Sequence, residues 1–217
     1  MKTFFLNLIL CLITFYIYAQ KDTIKYDFSF QFYDGIYLEY SNFKSNNPLS
    51  LNRIISPAGN AQDFFEKLNE AKTISFYDEN GILVNKSKIW GYSKNGKPYI
   101  YMMDKFILIP TIGAISNFVA KVTVYHTDSY YDPFYGYNYY NYYPKSYKTE
   151  ELQQFLIDFE TGSVLPINIK NIESILLRFP ELHKDYSKLG KRKKTKKMFE
   201  YIKQYNEQVP IFFPIDN

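Results

Sequence analysis

Four residue pairs ending in glycine constrain this chain more than anything else in it. Asn80-Gly81, Asn95-Gly96 and Thr161-Gly162 each sit between short runs of alternating apolar and polar residues. Asn-Gly accepts the left-handed dihedrals of a two-residue hairpin turn, and period-two alternation buries one face of a strand. Ile74, Phe76 and Ile82, Val84 flank the first pair. Ile89 to Ser93 and Tyr99 to Met102 flank the second, and Phe155, Ile157, Phe159 and Val164, Pro166 flank the third. Asp34-Gly35, between Phe28–Tyr33 and Ile36–Tyr40, reads the same way. Phe106 to Ile109 and Ala114 to Tyr125 extend the series. Hairpins at this spacing predict a mainly antiparallel β meander, one twisted sheet curling into a sandwich or partial barrel.

The period changes elsewhere. A short turn from Ser41 to Phe43 and a helix opened by Asn60, with Phe64 and Leu68 on one face, interrupt the strands. After the last hairpin, Ile172, Ile175, Leu176 and Phe179 follow helical spacing. Pro180 ends that helix and opens another, on which Leu182, Tyr186 and Leu189 share a face, with Gly190 as its C′ residue. A third helix runs from Lys191 to Gln208, its Phe199, Ile202 and Tyr205 directed inward. The fold class is therefore α+β: an antiparallel sheet packed with a C-terminal helical segment.

Residues 1–19 have the order of a signal peptide. Lys2 is the charged start, Phe4–Tyr18 is nearly all apolar or aromatic, and Tyr18-Ala19 precedes Gln20. The apolar run is shorter than the roughly 20 residues of a spanning helix. A retained anchor is the alternative, and lipid attachment at Cys11 lacks the preceding small residue. Cleavage removes Cys11, the only cysteine, so the mature chain uses no disulfide, thiolate nucleophile or Cys-ligated metal. It also removes Lys2, taking the formal net charge from +4 to +3, too little to imply nucleic acid by itself.

The mature chain divides into a β-rich region, 20–125, a tyrosine-rich stretch, 126–147, and a hairpin followed by helices, 148–217, forming one domain with the first. Ser129 to Pro144 holds no aliphatic residue with which to pack a core. It reads as a long loop between the strands Ala114–Tyr125 and Gln153–Phe159.

Three segments resemble parts of uncharacterised secreted and envelope proteins of Bacteroidetes-type bacteria. They are Asp34 to Pro48, Ile89-Trp90-Gly91-Tyr92 with Gly96 and Tyr99-Ile100, and Leu156 to Gly162 onward to Tyr201–Asn206. The Tyr18-Ala19-Gln20 junction is similar to cleavage sites in that group. The resemblance implies a periplasmic, outer-membrane-associated or extracellular location and carries over no activity. Asp22-Thr23-Ile24 resembles the group's O-glycan acceptor sequence.

Few residues point to chemistry. His126 and His183 lie in different segments without a second ligand at metal-binding spacing. Asp104, Asp158 and Glu160 supply the residue type of glycosidase carboxylates, and nothing more than the type. Asp128 and Asp132 lack the spaced ladder of a calcium loop. The sequence calls for no cofactor and no metal. Trp90, the only tryptophan, belongs to the core or sheet surface.

Two surfaces remain. Lys191, Arg192, Lys193, Lys194, Lys196 and Lys197 put six cations in seven positions, suited to the phosphates of lipopolysaccharide, nucleic acid or another polyanion. They oppose the dipole of the helix they begin, where a solvated face is the plain alternative. Tyr130, Tyr131, Tyr135, Tyr137, Tyr139 and Tyr140 suit stacking on sugar faces or protein contact, against the plain alternative of a mobile insertion. The expectation is an exported, non-enzymatic binding or structural protein of the cell envelope, with a polyanion or glycan as partner. A hydrolase of glycans or peptides, working through unidentified carboxylates, is the competing expectation.

Overall fold

The computed structural model describes residues 22–55, 61–128 and 145–215. Within them the chain is α+β, with antiparallel sheets, none closed. Strands β2 (Gly35–Tyr37), β5 (Gly91–Lys94), β6 (Lys97–Met102) and β7 (Lys105–Leu108) form one sheet in that order. Strands β8 (Ile115–Asp128), β9 (Lys145–Asp158) and β10 (Val164–Pro166) form a second. Two pairs stand apart: β3 (Ser75–Tyr77) with β4 (Leu83–Asn85), and β1 (Thr23–Lys25) with β11 (Phe212–Pro214). The meander is therefore present, but split into separate sheets rather than one.

Three apolar clusters stack these layers. Ile36, Tyr92 and Ile89 meet Phe64, Phe65 and Leu68 of helix α2 (Ala61–Glu70), together with Phe76 and Val84 of the β3–β4 hairpin. Ile100, on the opposite face of the same sheet, packs on Phe118, Val122, Phe155 and Ile157 of the second. The far face of the second sheet, through Ile115 and Leu156, receives helices α3 (Ile169–Leu176), α4 (Pro180–Ser187) and α5 (Lys191–Gln208). That cluster also takes in Phe32, Tyr37 and Phe43 from the start of the chain, so the first and last thirds share a core.

Of the two Asn-Gly pairs only Asn95-Gly96 makes the expected turn. At Asn80-Gly81 the glycine alone has positive φ (72°), and the Asp78 carboxylate holds the turn by accepting from the Asn80 and Ile82 N–H groups at 2.9 and 2.8 Å. Asn95 and Gly96 both have positive φ (53° and 69°), joining β5 to β6. Met103 and Asp104 do the same between β6 and β7 with no glycine. There the Tyr101 hydroxyl donates to the Asp104 carboxylate at 3.1 Å.

Asp34-Gly35 is not a hairpin. The Asp34 carboxylate instead accepts from the backbone N–H groups of Asn95 and Gly96, at 3.0 and 3.1 Å, and so caps a distant turn. Gly35 lies 2.5 Å, measured from an added Cβ, from the Leu49 carbonyl oxygen. The glycine is needed because Leu49 exchanges hydrogen bonds with Ile36 (2.9 and 2.8 Å). Phe30 and Phe32, expected on a strand, instead insert rings against Phe213 and Phe43.

The strand boundaries around the tyrosine-rich stretch also move. β8 and β9 pair residue for residue from Ile115↔Asp158 to Asp128↔Lys145, so 126–128 and 145–152 are strand, not loop. Near its base this hairpin is covered on both faces. Farther out, Val119, Lys121, Tyr125, Lys148 and Leu152 of one face are exposed. Beyond Gln154 toward Lys145, β9 has β8 as its only neighbour among the described strands. Residues 129–144, and with them Tyr130, Tyr131, Tyr135, Tyr137, Tyr139 and Tyr140, lie outside the described residues, as does the leader.

Candidate functional site

Helix α3 starts at Asn168, whose side chain accepts from the Asn171 N–H at 2.8 Å, and it buries Ile172, Ile175 and Leu176. Pro180 opens α4 as expected. Gly190, expected to end α4, is instead the residue from which α5 starts, in extended conformation and with no side-chain cap. The first turns of α5 therefore combine free N–H groups, no acid, and a run of cations. Burial of Met198, Tyr201, Ile202 and Tyr205 sets the rotation of the helix. Phe199, expected to face inward, is 46% exposed because it lies off that stripe.

The six cations of the run separate into two sets. The Lys194 ammonium lies 2.6 Å from Glu173, is 15% exposed, and sits over the Tyr186 ring. It ties α5 to α3 and α4 and is structural. Lys197 pairs with Glu200 one turn on, at 3.1 Å. Lys191, Arg192, Lys193 and Lys196 are exposed and have no ion-pair partner among the described residues. Arg192 and Lys196 are four apart, and Phe199 and Lys203 continue the same line down the helix. The exposed part of the run is thus centred on Arg192, Lys193 and Lys196, with exposed Phe199 beside it.

The surrounding charge reinforces this face. Residues 169–208 carry eleven Lys and Arg against five Asp and Glu, a net +6, whereas the whole chain carries +4. The remainder of the protein is therefore slightly acidic, and the positive charge is concentrated on the helices.

The carboxylates considered for hydrolysis are engaged otherwise. Arg178, just past α3, binds Asp158 through both terminal nitrogens, at 2.9 and 2.6 Å, and reaches Glu160 at 3.2 Å. Burial alone would raise the Asp158 carboxyl. The Arg178 fork, the Thr161 hydroxyl and the Glu160 N–H outweigh it and hold the group below the ordinary carboxylate range. Asp104 belongs to the β6–β7 turn.

His126 stacks on Tyr147 and shares a 2.7 Å hydrogen bond with Thr149. His183 lies 3.3 Å from the Ser187 hydroxyl on the same helix. Among the described residues no group of three or more His, Cys, Asp and Glu is placed to hold a metal ion. The Asp128 side chain and Asp132 lie outside the description. Thr23 is exposed on β1.

A shallow cleft of about 290 Å³ lies between β1 and the end of α5, lined by Lys25, Tyr26, Gly113, Asn206 and Ile211 among others. Lys25 and Glu207 bring charge to its lining, and the amide of Asn206 is already used. Asn206 accepts from the Ile115 N–H (2.7 Å) and donates to the Ile115 carbonyl (2.8 Å). Sequence reading missed this contact, and also Lys86. That residue is 3% exposed and donates at 2.6 Å to the Ala71 carbonyl at the end of α2. Neither Asn206 nor Lys86 belongs to a pattern readable from the chain alone.

Among the described residues no helix is long and apolar enough to cross a membrane. Comparisons with protein-family models, with curated proteins and with solved structures find no match for this chain.

Proposed function

We propose that this is an exported, non-enzymatic binding protein of a bacterial cell envelope that holds a phosphate-bearing polyanion on the cationic face of α5. One observation carries the reading: Lys191, Arg192, Lys193 and Lys196 are exposed, without carboxylate partners among the described residues, on the most positive part of the protein. A run of like charges at a helix start is locally unfavourable. An anion at that position relieves the repulsion and meets the free N–H groups of the first turn. The leader of residues 1–19 and the resemblance to secreted Bacteroidetes-type proteins support the location. The engagement of Asp158 and Glu160 by Arg178 weighs against their use as hydrolytic carboxylates.

Retention on heparin or lipopolysaccharide resin tests the ligand. Changing Arg192, Lys193 and Lys196 together to Gln should advance elution. It should also flatten the dependence of log affinity on log salt by roughly one unit per lost contact. Lys197→Gln should change little, because Lys197 is committed to Glu200. Equal retention of the triple variant and the parent would reduce the patch to a solvated helix face. Export has its own test. N-terminal mass spectrometry of protein from the host envelope should find Gln20, free or cyclised, and intact Met1 there would contradict it.

A further inference from the structure

We propose that two copies of the protein associate by pairing the free edges of β9, antiparallel, about a two-fold axis at Thr149. The orientation of the peptide groups follows from the bonds β9 makes near its base. The Gln154 carbonyl accepts from Ile167 (3.0 Å), and Asp158 exchanges bonds with Ser163 and Gly162 (3.0 and 2.7 Å). Even-numbered residues of β9 therefore turn their N–H and C=O groups away from β8. Along the outer part of the strand these are Ser146, Lys148, Glu150 and Leu152, whose outward groups meet no neighbouring strand among the described residues. An unpaired row of this kind is a template for another strand.

The occupant follows from the side chains. In a two-fold antiparallel pair, outward-facing residues must oppose outward-facing residues. Among the described residues the unpaired edge covers Lys145 to Gln153. Pairing about Thr149 falls within this edge. It sets Lys148 of each copy opposite Glu150 of the other, and Ser146 opposite Leu152. Sliding by one hydrogen-bonded step in either direction sets Lys148 against Lys148, or Glu150 against Glu150. Opposite charges across a ladder stabilise it and like charges destabilise it, so the charge pattern selects one register. Both side chains are exposed, Glu150 by 59%. Glu150 already meets Lys121 of its own chain at 2.7 Å, so pairing would place it between two cations. The corresponding edge of β8 presents Val119, Lys121, Thr123 and Tyr125, with no carboxylate to oppose Lys121 in a second copy.

Sedimentation of the purified protein over a range of concentrations tests the proposal. A reversible dimer is expected. Lys148→Glu and Glu150→Lys should each weaken it by roughly tenfold or more, since each change acts twice across the axis. The double exchange K148E/E150K should restore the affinity to within about threefold of the parent. Both positions are exposed, and near-ultraviolet circular dichroism should confirm that each variant keeps the fold. A protein monomeric at every concentration overturns the proposal, as does a dimer indifferent to both single changes or one not restored by the exchange.

Discussion

Arg178→Ala is expected to remove about 3–5 kcal/mol of stability, because it leaves the Asp158 carboxylate buried without its counter-ion. The loss comes mainly from the Asp158 end of the contact. The Asp158 side chain is 4% exposed, while Glu160, the second partner of Arg178, is 71% exposed and well screened. Arg178→Lys keeps the charge but not the two-pronged geometry, and should fall between parent and alanine variant. The pH dependence has a defined sign. The folded carboxyl of Asp158 is lowered, so its contribution is present above the unfolded value near roughly 3.9 and is lost as pH falls. Urea unfolding at neutral pH and in acid measures both effects. The parent should lose this contribution on acidification and the alanine variant should not, since it has already lost it. A variant as stable as the parent at neutral pH would show that the ion pair is replaceable.

Phe43→Ala should cost a similar amount, about 3–5 kcal/mol, through a different mechanism. Phe43 lies on helix α1 (Tyr40–Lys44), is 1% exposed, and stacks on Trp90 and Phe32 with centroids 4.6 and 5.3 Å apart. Tyr37, Phe159 and Phe213 meet its edges. Removing the ring empties a volume bounded by rigid groups that cannot collapse into it. Trp90 is the only tryptophan, so its emission reports the change directly. A red shift in the folded variant, together with the loss of stability in denaturant, is the expected pair of results. Phe43→Leu, which keeps most of the volume, should cost less, about 1–2 kcal/mol. An unchanged emission and unchanged stability would mean that the aromatic cluster is loosely packed.

The parts of the fold that could be read from the chain are those decided by neighbours in sequence. Asn95-Gly96 makes its turn because both residues tolerate positive φ, and α3 forms where Ile172, Ile175 and Leu176 recur at helical spacing. Contacts between distant segments decided the rest. Asp34-Gly35 has the chemistry of a turn, but the close approach of Leu49 and the unfilled N–H groups of residues 95 and 96 claim it. The outer part of β9, Lys145–Gln154, holds its shape through the ladder to β8 and buries little, so it shows no strong apolar alternation. Of the candidate site, the location of the cations on a helix was legible. The rotation of that helix was not, because Phe199, Tyr201, Ile202 and Tyr205 offer two overlapping apolar stripes. Only packing against α3 and the second sheet chooses between them. For the same reason Lys194, similar in sequence to its neighbours, is the one cation drawn inward to Glu173.

The pairing of β1 with β11 has a consequence for the order in which the structure can be completed. Thr23 lies opposite Pro214 and Lys25 opposite Phe212, while Phe213 between them is fully buried against Phe30, Phe32 and Phe43. A ribosome or an export channel delivers a chain from its N-terminus, so β1 emerges early and waits for a partner that arrives almost two hundred residues later. Until then Phe30, Phe32 and Phe43 lack the ring that seals them. The clasp therefore acts as a completion signal. Sheets and helices can assemble while the chain is still being threaded, but this aromatic core stays open until β11 is released.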